Sequence, residues 1–512
     1  MDRTAQGDDA QRRLHEVYLP WRHLAQHAAL VDADLAITYG ALPGAVEAVA
    51  RGLREAGVRA GDRVLLVSEN ATALALTILA VSSLEAWSVS VNARLSAREI
   101  DNFLAHSAAR LAVYFHRVSP EAGAHGLARG ALPVLLPVIG AVLLGPLNSE
   151  AWTEPVEADA ARQVAALVYT SGTTGAPKAV MLSHRNLLFI AANSRALRRL
   201  TPADVVYGVL PLSHVYGLTS LLLASLISGA TLRLIPRFAE AELARALAQD
   251  GITILLGAPA MFAKLLDWGA RGEAPLIAPA LRLAQAGGAP LTPSLKHDVE
   301  ACFGLILQNG YGMTEASPSI CQTRLDAPRA DCSVGPVIPG VALRIDGGAE
   351  HPDGIGELCV RGPNVMLGYY RAPELTAHTM TADGWLRTGD LARIDADGAV
   401  SIVGRSKELI IRSGFNVYPA EVEQVLNGYP GVVQAAVVGR AVPGNEEVVA
   451  FVELARGARF DAGELDGYLR RMLSPYKIPS EIVVLDRLPV AATGKILKHA
   501  LRERAAGEGG RA

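Results

Sequence analysis

The feature that most constrains this chain is the regular alternation of helical and extended patterns along most of its length. Apolar residues recur at helical spacing over 42–56, 71–84 and, behind a Ser96 cap, 97–105, while 63–67, 87–91 and 111–115 read as short buried strands. The rhythm resumes further on. Strands are expected at 164–168, 205–209, 231–235 and 252–256, with helices at 185–198, 218–227, 239–249 and 259–266. Alternation at this pitch argues an α/β architecture with largely parallel sheets. From about 333 to 403 the pattern changes to short strands (342–345, 356–361, 400–403) between Gly, Pro and Asp turns, which suggests a smaller β-rich subdomain. A compact α+β unit follows, with helices at 420–426 and 462–472 and strands at 432–438, 448–454 and 482–485. The tail from Ala505 reads as disordered, and no period of 20–50 residues repeats.

A chain of 512 residues has room for two to four domains and a large core. Its net charge of −3, with 19% charged residues, gives no electrostatic bias toward nucleic acid or anionic membrane. The polar N-terminus lacks an apolar signal segment. The apolar stretch 131–147 is broken by Pro133, Pro137, Gly140, Gly145 and Pro146 and is shorter than the roughly 20 residues a membrane span needs, so it reads as a buried strand with flanking loops. Cys302, Cys321, Cys332 and Cys359 show no C-x-x-C spacing, which fits reduced thiols in a cytoplasmic protein better than a disulfide frame or zinc site.

Directly after the 164–168 strand comes Tyr-Thr-Ser-Gly-Thr-Thr-Gly-Ala-Pro-Lys, residues 169–178. Glycines let backbone N–H groups approach a polyanion, hydroxyls add donors, and a lysine adds a point charge. The run reads as a phosphate-cradling loop, although it lacks the G-x-x-x-x-G-K-[ST] spacing of a Walker A loop.

Further segments extend this reading: PLSHVYG at 211–217, AGGAPL at 286–291, NGYGMTEASP at 309–318, DGWLRTGD at 383–390, VGRSKELIIRSGFNVYPAEVE at 403–423 and PVAATGKILKHALR at 489–502. In this order they resemble the adenylate-forming superfamily, specifically its acyl-CoA synthetase branch, from about residue 30 to 503. The resemblance implies a large N-terminal adenylation domain over 1–404, a hinge at 405–407 and a small mobile C-terminal domain over 408–512. It also implies ATP, Mg2+ and coenzyme A. A carboxylate attacks the α-phosphorus of ATP to give an acyl-adenylate and pyrophosphate; the thiol of coenzyme A then takes the acyl group and releases AMP.

By the same resemblance, Thr170, Ser171, Gly172, Thr173, Thr174, Gly175 and Lys178 hold the β- and γ-phosphates. Thr314 contacts the α-phosphate, and Glu315 is the carboxylate that holds Mg2+. Asp390 receives the ribose hydroxyls with help from Arg405, Tyr311 stacks on adenine, and Asn309, Gly312 and Gly287 to Ala289, with Gly288 at the centre, lie along the nucleotide. Lys495, on a glycine-preceded loop, neutralises charge growing on the α-phosphate and attacking carboxylate. Lys407 is the pivot, Gly414 leaves room for pantetheine, and His214 gates that tunnel.

Two positions depart from the pattern. Ala179 stands where glycine is common, and Pro443-Gly444-Asn445-Glu446 replaces an aromatic-Gly pair that contacts the coenzyme A adenine, leaving Tyr476 and Lys477 as substitute stacking and phosphate contacts. The implied acyl pocket comprises His214, Val215, Leu218, Met261, Gly288, Gly312, Met313, Ser317 and Pro318. None is Arg, Lys, Asp or Glu, so a second buried carboxylate or an ammonium would go unpaired there. The expected activity is therefore an acyl-CoA ligase for an apolar monocarboxylic acid, a fatty or aryl acid, in a cytoplasmic monomer or homodimer. The alternatives are an acyl-AMP ligase that loads a carrier protein and an inactive nucleotide-binding homologue.

Overall fold

The computed structural model describes residues 12–170, 178–272, 275–350, 353–413, 415–442, 445–455, 457–458, 460–490 and 496–508. The alternation expected from sequence builds two eight-stranded sheets. In one, Val164–Thr170, Trp87–Asn92, Arg63–Ser68 and Leu111–Tyr114 lie side by side in parallel, with antiparallel strands at both margins. In the other, Leu307–Gly312, Leu283–Gly287, Ile254–Gly257, Val205–Gly208, Thr231–Leu234 and Ala28–Val31 run parallel between antiparallel margins Ser319–Gln322 and Ala36–Thr38. Arg63–Ser68 is buried at every residue, as befits a parallel strand covered on both faces.

Helix Thr72–Ser83 is apolar all round, and its side chains join a core supplied by both sheets. Helix Leu42–Glu55 instead buries one stripe (Leu42, Val46, Val49, Leu53) and exposes Glu47, Arg51 and Arg54. Ser96 caps helix Ala97–Ser107: its hydroxyl accepts from Glu99 N at 3.3 Å, while the Glu99 carboxylate accepts from Ser96 N at 2.8 Å.

The β-rich stretch is a four-stranded antiparallel sheet of Ala342–Asp346, Gly356–Arg361, Leu386–Ile394 and Val400–Arg405. Beyond it, Val432–Val442 and Asn445–Leu454 pair antiparallel, and Glu481–Leu485 adds in parallel. Strand alternation sends Ala435 and Val437 to one face, against Val422, Leu426, Leu465 and Leu469, and Ala436 and Val438 to the other, against Leu501 and Ala505.

Three expectations need correction. The tail is not disordered from Ala505: helix Lys498–Glu508 buries Ala505 to 1% exposure, because small and apolar residues there fill the second face of the C-terminal sheet. The stretch 131–147 is an antiparallel hairpin, Leu132–Leu136 with Gly140–Leu144, and its outer strand exposes Leu132, Val134 and Leu135 at the sheet margin. The apolar stretch 218–227 starts two residues early as a π-helix, Tyr216–Leu223, before regular helix Ala224–Ser228. Gly217 is what permits that start, since a Cβ there would lie 2.1 Å from the Pro211 carbonyl oxygen. No helix among the described residues is long and apolar enough to cross a membrane.

Candidate active site

The sequence-singled residues gather where strands of the two sheets end, the usual position for ligand clefts in open parallel sheets. Strand Val164–Thr170 pairs antiparallel with Lys178–Ser183, and Thr170 opposite Lys178 is the last pair before the hairpin tip. Ser171, Gly172, Thr173, Thr174, Gly175, Gly414 and Lys495 lie outside the described residues.

Lys178 leads directly to Glu315. Its Nζ lies 6.0 Å from the centre of the Tyr369 ring, and the Tyr369 hydroxyl donates to Glu315 Oε1 at 2.7 Å. Burial, with Glu315 adding to it, pushes the Tyr369 phenol far up, so it remains a donor at any physiological pH. The Glu315 carbonyl also accepts from Met366 N at 2.9 Å, which fixes the short turn Thr314–Ala316 against the loop before strand Gly368–Tyr369. Glu315 is only 9% exposed, and no cation pairs with it among the described residues. One buried carboxylate with hard oxygens suits Mg2+, which usually takes one or two carboxylates plus substrate phosphates. Accordingly, no cluster of three metal-ligating side chains exists among the described residues.

A second group is centred on Asp390, which is 3% exposed. The antiparallel register sets Asp390 opposite Arg405, and Arg405 Nε donates to Asp390 Oδ1 at 2.9 Å. The Tyr311 hydroxyl donates to Oδ2 from the end of strand Leu307–Gly312. Burial, reinforced by the Asp390 charge, holds the Tyr311 phenol well above its ordinary range. A carboxylate offers about four lone-pair sites, so two remain for further donors. Asn309 contributes differently: its amide donates to the Cys332 and Ser333 carbonyls at 3.0 and 3.2 Å and its Oδ1 accepts from Gly310 N, which occupies the side chain in bracing the strand.

The third group surrounds the 211–217 segment. His214 Nδ1 accepts from Tyr216 N at 3.2 Å, so in the neutral ring the proton sits on Nε2. Met261 and Met313 are half-buried, and Gly288 and Gly312 are exposed, so all four present surface. Val215, Leu218, Ser317 and Pro318 are buried and support that surface from behind. Gly288 has φ +82°, and a Cβ on it would meet nothing within 4 Å. Gly312 is crowded instead: a Cβ there would stand 2.0 Å from the Pro318 carbonyl oxygen.

In the C-terminal unit, Lys407 is exposed in the short turn Ser406–Glu408. Tyr476 stacks on Phe415 with centroids 4.6 Å apart, and Lys477 Nζ lies 2.6 Å from Glu421 Oε1. The unusual Asn445-Glu446 pair now has a use. Asn445 Oδ1 accepts from Ser413 N and Glu446 Oε2 from Ile411 N, both at 2.6 Å, so both residues brace the hairpin that flanks position 414.

Sequence reasoning missed Tyr369, Tyr216, Arg198 and Gln285. Tyr369 stands between the 309–318 and 383–390 segments, outside both; Tyr216 lies within 211–217 but carries no signal of its role there, and Arg198 and Gln285 meet only through the fold. Arg198 is fully buried, and its Nε donates to Gln285 Oε1 at 2.8 Å.

The chain is similar to known proteins over most of its length. Residues 21–370 match the family model described as AMP-binding enzyme, and residues 421–495 match the one described as AMP-binding enzyme C-terminal domain. The chain is 36% identical over 487 residues to a feruloyl-CoA synthase of Amycolatopsis sp, covering 94% of this chain and 96% of that protein. It is 34% identical over 499 residues to 4-coumarate--CoA ligase 5 of Oryza sativa subsp. japonica, covering 94% and 92%. Its fold is similar to the crystal structure of ATP-bound MatB from Rhodopseudomonas palustris, with a TM-score of 0.82 and 31% identity over 96% of this chain and 99% of that one.

Proposed function

The chain belongs to the family of AMP-binding enzymes and is an AMP-forming acid–thiol ligase that uses ATP, Mg2+ and coenzyme A; from this we propose that its acid is an aromatic monocarboxylic acid. The observation that carries the proposal is the side-chain-free pair Gly287-Gly288: the Tyr216 ring lies against the place a Cβ on Gly287 would take, and a Cβ on Gly288 would meet nothing within 4 Å. A planar ring can lie against a backbone that has no side chains, and methionines adapt to its edge. The aryl acids in the names of the feruloyl and coumarate relatives support the same choice.

In this reading Asp390 uses its two remaining acceptor sites for the ribose hydroxyls, while Tyr311 and Arg405 keep it oriented. Tyr311 offers its ring to the adenine. The loop 170–178, Lys178 included, receives the departing pyrophosphate, and Thr314 donates to the α-phosphate. Glu315 would hold Mg2+, whose charge offsets that of the phosphates. Lys495 approaches the α-phosphate and attacking carboxylate during adenylation, where added positive charge lowers the barrier. His214, held through Nδ1, lines the path by which the thiol arrives. We place the hinge at 405–407, between the strand that ends at Arg405 and the exposed turn Ser406–Glu408. After rotation, Gly414 and the Phe415–Tyr476 stack line the coenzyme A path. Four cysteines without disulfides suit the reducing cytoplasm.

The test is pyrophosphate release and thioester formation across short- to long-chain fatty acids and substituted benzoates and cinnamates. Aryl acids should exceed every fatty acid in kcat/KM, and the reverse ranking would overturn the proposal. Lys495→Ala should slow adenylation by about 10²-fold or more while largely sparing thioester formation from presynthesised acyl-adenylate.

A further inference from the structure

The base of the proposed phosphate loop is held from outside by a helix that carries none of the motif segments. Past Ala166, which registers with Ser88, strand Val164–Thr170 keeps one ladder partner among the described residues, the antiparallel strand Lys178–Ser183. Its last pairs are Tyr169 opposite Ala179 and Thr170 opposite Lys178. The end of such a ladder opens readily unless something ties it down. Strand Lys178–Ser183 is tied through its backbone: Tyr370 N donates to the Ala179 carbonyl at 2.8 Å, and Gly368–Tyr369 pairs with Met181 and Val180.

Strand Val164–Thr170 is tied there through a side chain. Alternation turns Val168 into the core on one face and Tyr169 to the other, toward helix Ala97–Ser107. The Tyr169 ring stacks on Phe103 with centroids 4.1 Å apart, and its hydroxyl lies 2.9 Å from His106 Nδ1. Phe103 and His106 are three residues apart and so share one helix face. His106 is itself fixed: its ring stands edge-on to Tyr370 at 6.0 Å, and its carbonyl accepts from Arg371 at 3.2 Å. Burial pushes the Tyr169 phenol up and, with the Arg371 charge, the His106 ring down, so a protonated hydroxyl donates to a neutral imidazole. One residue beyond Tyr169, Thr170 opposes Lys178, whose Nζ lies 6.0 Å from the Tyr369 ring that holds Glu315.

We propose that His106 is a positioning residue for the β- and γ-phosphates of the nucleotide: with Phe103 it fixes Tyr169, and so sets the Thr170–Lys178 pair from which both ends of the phosphate loop leave. His106 touches no phosphate itself. It acts by reducing the ordering that binding would otherwise cost the loop. Its contribution therefore falls on ATP, which carries the β- and γ-phosphates, and not on AMP, which fills the adenine, ribose and α-phosphate positions alone. This rests on the reading of 170–178 as the receiver of pyrophosphate.

Calorimetric titration of the full chain with ATP and Mg2+, and separately with AMP, gives two dissociation constants for each protein. The set is the wild type, Tyr169→Phe, His106→Phe, His106→Asn and Lys178→Ala. Tyr169→Phe and His106→Phe each remove one hydrogen bond, and should weaken ATP by about fivefold or more while leaving AMP within about twofold. His106→Asn, which keeps a polar atom near the place of Nδ1, should recover most of the ATP affinity. Tyr169→Phe retains the ring on Phe103, so the inference stays open to refutation if His106→Phe folds poorly. Equal weakening of ATP and AMP overturns the inference and leaves a general support of the sheet. Unchanged ATP affinity in Tyr169→Phe also overturns it. Lys178→Ala with an unchanged ratio of ATP to AMP affinity overturns the reading of the loop itself.

Discussion

Tyr311→Phe separates two duties that meet on one residue. The ring faces the nucleotide in the proposed function, while the hydroxyl donates to Asp390, a carboxylate only 3% exposed whose other oxygen is held by Arg405. Removing the hydroxyl keeps the ring and strips one charge-assisted hydrogen bond from a buried anion. Bonds of this kind contribute about 1.5–3 kcal/mol. At about 2–4 °C per kcal/mol for a large domain, the melting temperature should fall by roughly 3–12 °C. The ATP KM should stay within about threefold, because stacking is retained and Arg405 still holds Asp390 in place. Tyr311→Leu should lower the melting temperature similarly and also weaken ATP, since the ring goes with the hydroxyl. Thermal unfolding followed by fluorescence, with ATP titrations of pyrophosphate release, measures both quantities. A Tyr311→Phe protein that melts like the wild type would show that the hydroxyl–carboxylate contact contributes nothing. One that loses ATP affinity as severely as Tyr311→Leu would refute the division of roles.

Three more outcomes follow from the geometry. Gly312→Ala places a methyl 2.0 Å from the Pro318 carbonyl oxygen, so the turn bearing Thr314 and Glu315 must move; adenylation should fall by about 10²-fold, and stopped-flow pyrophosphate release with near-normal activity would contradict this. Glu315→Gln keeps an oxygen for the Tyr369 hydroxyl but loses the charge, so half-saturating Mg2+ should rise by about tenfold or more at little cost in melting temperature; an unchanged Mg2+ titration rules out the role. Lys498 bonds Glu408 at 2.9 Å and Glu423 at 2.8 Å, and Lys498→Met should destabilise the C-terminal unit by about 3–5 kcal/mol at neutral pH. Burial opposes the Lys498 ammonium and the Glu408 carboxylate, but their mutual attraction, with Glu423 on the lysine, outweighs it and moves the two pKa values apart. The lysine's share is therefore complete below its ordinary 10.5 and lost as pH rises through the raised value, while the glutamate's is complete above its ordinary 4.5 and lost as pH falls through the lowered one. Urea unfolding across pH should show wild type and variant converging outside that window, and a constant difference at all pH values counts against the network.

What the sequence disclosed, and what it did not, follows from how local each cause is. Strand Arg63–Ser68 and helix Thr72–Ser83 were readable because burial on all sides writes itself as unbroken apolar text, and Ser96 with Glu99 announces its own helix start. Lys498–Glu508 was hidden because its inward face is small and its outward face charged, so only the sheet beneath it reveals that Ala505 is core. The π-turn at Tyr216 depends on Gly217 pressing against Pro211, a contact between backbones that leaves no periodicity behind. The acyl pocket shows the same limit at the level of charge. A list drawn from motif words contains no ionisable residue apart from His214, and it suggested a wholly apolar pocket. Arg198 lies outside every such word, on a helix whose pattern says nothing of its partners, and its guanidinium is held by Gln285 and Ser220, which arrive from a strand and a π-helix. Apolarity of the motif residues therefore does not describe their surroundings: a buried guanidinium with neutral hydrogen-bond partners lies outside every motif segment and leaves no trace in the pattern of its own helix.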